Sequence, residues 1–261
     1  MTMTADEPQT SEMIQSVALA LRVLEALAKA DGDIGVTELA AALGTTKSRI
    51  HRHLRTLVTL GYISQSEETE RYRIGARLIA LGRAAAGSVD LTSVALPHMR
   101  NLRDLTGQAV SLGQVEAFGI RILNTLPGKM QIEVGVRPGS LLGFVNSAQG
   151  KVALAAMPQE RQQELIPQTI APATQYTITD PSELRAHIAQ IAARGWATAP
   201  NETMLGLNAL ACPIFGADGE PVATVAIVSL TQYIETPPDP GQIEAVRQAA
   251  ARISAELGYT G

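Results

Sequence analysis

The run KSRIHRHLR, residues 47–55, holds four cations in nine positions. Lys47, Arg49, Arg52 and Arg55 alternate with His51 and His53, and no acid lies among them. The chain as a whole carries a formal charge of −4, so this run is a local exception. Between residues 45 and 85 stand eight Lys/Arg against three Asp/Glu, a local +5 that leaves −9 for the rest. Fixed cations at this density suit the binding of a polyanion. Projected at about 100° per residue, Ser48, Arg52, Arg55 and Thr59 fall in one narrow band, flanked by Arg49 and His51. Ile50, Leu54, Leu57 and Val58 fall opposite. Arginine on such a band reads guanine edges through two hydrogen bonds. Thr46 and Ser48, near the helix start, stand where backbone N–H groups meet phosphate. The plain alternative is a solvated basic helix face.

No other constellation marks a catalytic centre. Gly150-Lys151 is not a P-loop, because Val145 occupies the position five before Gly150 where a glycine is needed. Neither GxSxG nor a GxGxxG after a strand occurs. Cys212, followed by Pro213 in an apolar strand pattern, reads as a small buried hydrophobe. His51 and His53 are two apart on a helix and point away from each other, and His98 and His187 are isolated. No metal site and no cofactor is therefore expected. A single cysteine excludes an intramolecular disulfide and fits a reducing cytoplasm. No run is long and apolar enough for a membrane span, and the start MTMTADEPQT reads as no signal peptide. Aromatics at 3% argue against a stacking platform for single strands. One reading of such a chain is an enzyme with a DNA-localising N-terminal domain. An architectural DNA binder without effector is another.

The elements that must position the cations follow from periodicity. Residues 16–29 have helical spacing, with Val17, Leu21, Leu24 and Ala28 joined by Ala20 and Leu27 on one stripe. Thr37 is the expected cap of a second helix over 38–43, Gly44 turns the chain, and Thr45 or Thr46 caps a third helix to about Leu60. Two helices joined by a short Gly-containing turn match a helix-turn-helix. Residues 62–65 and 71–74 alternate around the polar tip 66–70 and read as a β-hairpin, giving a winged helix. Arg71 and Arg73 alternate with Tyr72 and Ile74, so both arginines are expected on the open face, toward phosphate or minor groove.

These residues resemble the winged-helix domain of the IclR family of bacterial transcriptional regulators. The resemblance rests on SVALALRVLEALA, VTELAAALGTTKSRIHRHLRTLVTLGYI and YRIGARLIALG. It continues through PHMRNLRDLTGQAVSLGQV, SAQGKVALAAMP, NALACPIF and ARISAELG. It implies an N-terminal DNA-binding domain, a linker helix and a C-terminal effector-binding domain with a GAF-like α/β fold. It also implies a homodimer or tetramer on palindromic, double-stranded operator DNA. The motif's Lys-Ser matches Lys47-Ser48 and its His/Tyr-Arg pair matches His51-Arg52. Arg49 stands where a small Thr is common, so the operator here is expected to differ from those of relatives.

The expected organisation is a disordered tail over 1–12, the winged helix over 13–74, a linker and dimerisation helix over 75–90, and an effector-binding domain over 91–261. Leu78, Leu81 and Ala85 share one side of the linker helix. Beyond it, 91–105 reads as a helix bent or interrupted at Pro97. Strands are expected at 109–115, 120–126, 130–134, 140–145, 208–215 and 222–230. Helices are expected at 148–157, ending before Pro158, at 181–193 and at about 239–257. The sum is an α+β chain. Ser147 and Ala148, at a helix start, offer a hydroxyl and free N–H groups to a carboxylate. Leu112, Gln114, Leu123, Phe144, Asn208 and Cys212 are expected to line the same pocket. In the resemblance, the segments at SAQGK and NALACPIF line the effector cavity. The segment here reads GFVNSAQGK, without the His that many relatives carry before it, and Phe144 and Val145 favour an aromatic or otherwise hydrophobic organic acid. The whole reads as a ligand-responsive regulator of catabolic genes.

Overall fold

The computed structural model describes residues 14–30, 32–88, 90–131 and 134–261, with the side chains of 83–88 left aside. The expected 1–12 tail and the Ala85 side chain lie outside the described residues. The chain divides into two compact units between Ser88 and Val89.

The first unit runs α1 (Gln15–Lys29), α2 (Val36–Ala42), α3 (Lys47–Thr59), β1 (Ile63–Gln65), β2 (Tyr72–Ile74) and α4 (Ala76–Ser88). β1 and β2 pair antiparallel with Ile63 opposite Ile74, and Ile34 bridges to Tyr72. The core is built from Leu19, Val23 and Leu27 of α1, Leu39 of α2, and Ile50, Leu54 and Leu57 of α3, closed by Ile63 and Tyr72. Two expectations are corrected. The buried stripe of α1 is Leu19-Val23-Leu27, whereas Val17 and Leu21 are 53% and 54% exposed. α1 is apolar on two sides, and only the three-dimensional core decides which is used. Thr37 does not cap α2. Gly35 occupies the cap position, and its N–H donates to the Glu38 carboxylate at 3.2 Å.

The second unit opens with α5 (Leu91–Thr106), β3 (Ala109–Glu116), β4 (Gly119–Leu126), β5 (Leu141–Leu142), α6 (Ala148–Ala156) and α7 (Gln159–Leu165). It closes with α8 (Pro181–Arg194), β6 (Ala197–Thr198), β7 (Leu207–Phe215), β8 (Pro221–Leu230) and α9 (Pro240–Glu256). The strands form one antiparallel sheet in the order β5-β4-β3-β8-β7-β6. Strand alternation sends side chains to two faces. Val110, Leu112, Leu210, Cys212 and Val225 meet Met99 and Leu102 of α5 and Val246 and Ile253 of α9. Ile120, Ala211 and Ala226 meet Val152 and Ala153 of α6 and Leu184 and Ile188 of α8.

α5 runs unbroken through Pro97, because Ala95, Met99 and Leu102 anchor it on both sides of the lost N–H. The expected strand 130–134 is absent among its described residues, and 140–145 shrinks to Leu141–Leu142. α7 and β6 had no counterpart in the sequence pattern. α7 reads QERQQEL with no buried residue, and β6 is two residues long.

Candidate DNA-binding face and ligand cavity

α3 starts because Thr46 supplies an N-cap, its hydroxyl accepting from the Arg49 N–H at 3.4 Å. With Ile50, Leu54 and Leu57 buried, the remaining positions are forced outward. Thr46, Lys47, Ser48, Arg49, His51, Arg52 and Arg55 are all exposed. Among the described residues, none of the four cations has a side-chain hydrogen bond or an acidic partner, although acids are not scarce in this unit. Residues 1–88 hold ten Lys/Arg and ten Asp/Glu, so the charge is segregated within the unit rather than between the units. His53 is half-buried, and burial, then Arg49, then Arg52, lower its pKa below the usual histidine value.

The wing arginines separate. Arg73 is exposed and donates to the Ser64 hydroxyl at 3.3 Å. Arg71, expected on the open face, is half-buried: its Nε donates to the Asp33 carbonyl and its Nη2 to the Glu38 carboxylate, both at 2.8 Å. Glu38 thereby serves two partners, the α2 N-terminus and the wing.

In the second unit a cavity of about 80 Å³ opens between the start of α6 and β7. Ser147, Ala148, Asn208, Leu142, Met204 and Ala209 are among its lining residues. Its polar side chains are already engaged. Ser147 donates to the Gly143 carbonyl and accepts from the Gly150 N–H. Asn208 donates to the Ile234 carbonyl at 2.8 Å and accepts from Ala199 and Ala209. Gln149 joins Ser111 to Thr224. The groups left over are the first-turn N–H donors of α6, at Ala148 and Gln149, for which no acceptor appears among the described residues.

Five expected lining residues lie elsewhere. Leu112, Leu123 and Cys212 belong to the face under α5 and α9, Phe144 is buried against α6 and α8, and Gln114 is exposed near the end of β3. Residue type alone does not reveal sheet face, and a shift in the β3–β4 register between Leu112 and Gly113 breaks simple alternation there. The segment 199–206, which supplies Ala199, Thr203 and Met204, escaped the sequence pattern because it has no periodicity. Its local signals are two left-handed residues, Asn201 at φ 61° and Gly206 at φ 83°.

That segment is pinned in place. Thr174 donates to the Asn201 carbonyl at 2.6 Å, Thr177 to the Glu202 carbonyl at 2.9 Å, and Thr203 to the Asn146 carbonyl at 2.8 Å. Glu202 also receives a short bond from Lys151, which is fully buried in α6. Burial pulls the Lys151 ammonium down and pushes the Glu202 carboxyl up, and each charge offsets the other's cost. Beside them, burial, then the charges of Lys151 and Arg194, hold His187 down at about 4. Gly150 precedes Lys151 because no Cβ fits: it would stand 2.6 Å from the Phe144 Cα.

Comparison with known proteins decides what this arrangement serves. Residues 16–67 match the IclR helix-turn-helix domain, and residues 83–255 match the bacterial transcriptional regulator IclR C-terminal domain. This chain belongs to the IclR family. The regulator KdgR of Escherichia coli K12 is 28% identical over 256 residues, covering 98% of this chain and 97% of that protein. The E. coli transcriptional repressor IclR is 29% identical over 226 residues, covering 85% and 82%. The crystal structure of Pseudomonas aeruginosa HmgR superposes with a TM-score of 0.75 at 25% identity, covering 95% of this chain and all of that one. The first unit thus carries the helix-turn-helix domain of an IclR-family transcriptional regulator, and the second unit carries its C-terminal effector domain. These relatives are regulators, and the chain is a regulator rather than an enzyme.

Proposed function

We propose that this regulator binds double-stranded operator DNA through Lys47, Arg49, Arg52 and Arg55, with Thr46, Ser48, His51 and the wing residue Arg73 contributing, and answers to a small organic acid. The carrying observation is the exposed face of α3, four cations without an internal partner among the described residues. Arg52 and Arg55 sit mid-helix for base edges, and Thr46 to Ser48 sit at the positive end of the helix for phosphate. Arg71 acts by holding the wing rather than by touching DNA.

For the effector, the cavity beside α6 offers an apolar wall and two free N–H groups, a setting for a carboxylate. An apolar cavity of about 150 Å³ is known to hold benzene. The cavity here, at about 80 Å³, is smaller, and Phe144 does not face it. The acid is therefore short and aliphatic, and an aromatic acid requires Met204 and its neighbours to move. Target genes on this reading are those that consume the acid. The active form is a homodimer or tetramer in the cytoplasm, with α4 as the joining helix.

The test is fluorescence anisotropy on duplexes flanking the protein's own gene, over a salt series, with acetate, propanoate, pyruvate and benzoate added in turn. Specific binding with a steep salt slope, weakened by Arg52→Ala or Arg55→Ala by about 1–3 kcal/mol, supports the DNA reading. A shift by one of the short acids supports the effector reading. Equal affinity for every duplex, in wild type and variants alike, refutes the first. DNA binding that no acid shifts refutes the second and leaves an architectural role.

A further inference from the structure

A larger cavity lies elsewhere in the second unit, and the small-acid reading makes no use of it. It holds about 520 Å³ and is walled by Val152 and Ala155 of α6, Ile191 of α8, Pro213 of β7, and Arg247 and Ala251 of α9. Its origin is in the sheet. β6 pairs with β7 only at Ala211 and Leu210, so 212–215 is an uncovered edge with helices above and below it. The stacked rings of Phe215 and Tyr259, 5.0 Å apart, stand at one end.

An open strand edge invites another strand, but this one is closed to it. Pro213 has no N–H to offer, and the Phe215 N–H is already spent on the Ser254 hydroxyl at 3.0 Å. Strand addition draws its affinity from main-chain bonds, which this edge lacks. What remains is an apolar hollow with a single cationic side chain. Arg247 is exposed, with no ion pair among the described residues, and its charge is felt at the Cys212 thiol inside the cavity wall. Glu244 stands nearby, and its charge at the Cys212 thiol opposes that of Arg247. Glu244 accepts from Gln248 at 2.8 Å and forms no ion pair with Arg247 among the described residues, and Gly261 also lines the hollow.

We infer that this cavity is a second ligand site, for an amphipathic carboxylate of about a dozen carbons whose head pairs with Arg247. Scaled from the roughly 150 Å³ that suffices for benzene, a hollow of about 520 Å³ holds at most about twenty carbons, so a dozen fit with room to spare, and it lies within the roughly 300–1,000 Å³ of ordinary ligand sites. The head group follows from the free guanidinium. The inference does not depend on the smaller cavity being the effector site, although α6 borders both.

The experiment is calorimetric titration of the full-length protein with dodecanoate, below its micellar concentration. Arg247→Gln and Ala251→Phe are titrated in parallel. Both positions are exposed, so neither change disturbs the core. Saturable binding is expected, about tenfold or more weaker in Arg247→Gln and lost in Ala251→Phe, and not displaced by excess propanoate. No binding by wild type overturns the proposal. So does equal affinity in all three proteins, which would place the fatty acid elsewhere. Loss of oligomer mass in Ala251→Phe without dodecanoate binding by wild type would instead make the hollow an interface between copies.

Discussion

At the scale of residues, the buried Lys151–Glu202 pair joins α6 to the 199–206 segment, while the cations of α3 stand in solvent. Exposure of Lys47, Arg49, Arg52 and Arg55 follows from helical projection once Ile50, Leu54 and Leu57 face inward. Lys151 interrupts an apolar run without any sequence sign of its partner, since Glu202 is 51 residues away in a segment without periodicity. The pair makes a sharp stability prediction. Lys151→Met leaves a buried carboxylate unpaired and is expected to cost about 3–5 kcal/mol in urea unfolding, whereas Lys151→Met with Glu202→Leu recovers most of it. Similar losses in the single and double variants would show that the charges are not coupled. His187 adds a pH dependence of fixed sign. Its folded pKa, about 4, lies below the usual 6.5, so between these values the unfolded chain binds more protons. Its contribution is complete above about pH 6.5 and is lost as pH falls through about 4. The unfolding midpoint of wild type should fall more steeply between pH 6.5 and pH 4.5 than that of His187→Gln. Parallel curves would remove His187 as the cause.

At the scale of elements, legibility tracked length and periodicity. The three DNA-binding helices, the wing and the long strands β3, β4, β7 and β8 were all readable, because each repeats a pattern or meets a cap or a turn. The two-residue β5 and β6 and the polar α7 were not, since their place is set by neighbours rather than by their own residues. The wing shows how an element's role exceeds its pattern. Alternation put Arg71 and Arg73 on the same face, yet only Arg71 reaches Glu38 and the Asp33 carbonyl. Arg71→Ala should therefore lower stability by about 1 kcal/mol, through the loss of a partly exposed ion pair and one further bond. Arg73→Ala should leave stability unchanged and reduce the salt slope of DNA binding by about one. Thermal unfolding and the salt titration together assign each arginine. The reverse pattern would exchange their roles.

At the scale of the whole molecule, the two units carry separate cores, and unfolding should not be a single transition. The first unit, with its one small core, has less surface to bury and should melt first. The only tryptophan, Trp196, lies in the second unit, so its fluorescence should lag behind loss of helical circular dichroism. Duplex DNA should raise the first transition alone. Coincident curves from both probes would mean that the units unfold together. The same molecule carries its own chronometer for the second unit. Cys212 is the only sulfhydryl in the chain, it lies 2% exposed under α9, and burial pushes its thiol up to about 12. A disulfide reagent attacks thiolate and needs access to it, so reaction waits on opening of the packing around the thiol, α9 and the hollow's wall included. The rate at which an unmodified sample consumes such a reagent, at reagent concentrations high enough to outpace reclosing, thus counts how often that packing opens.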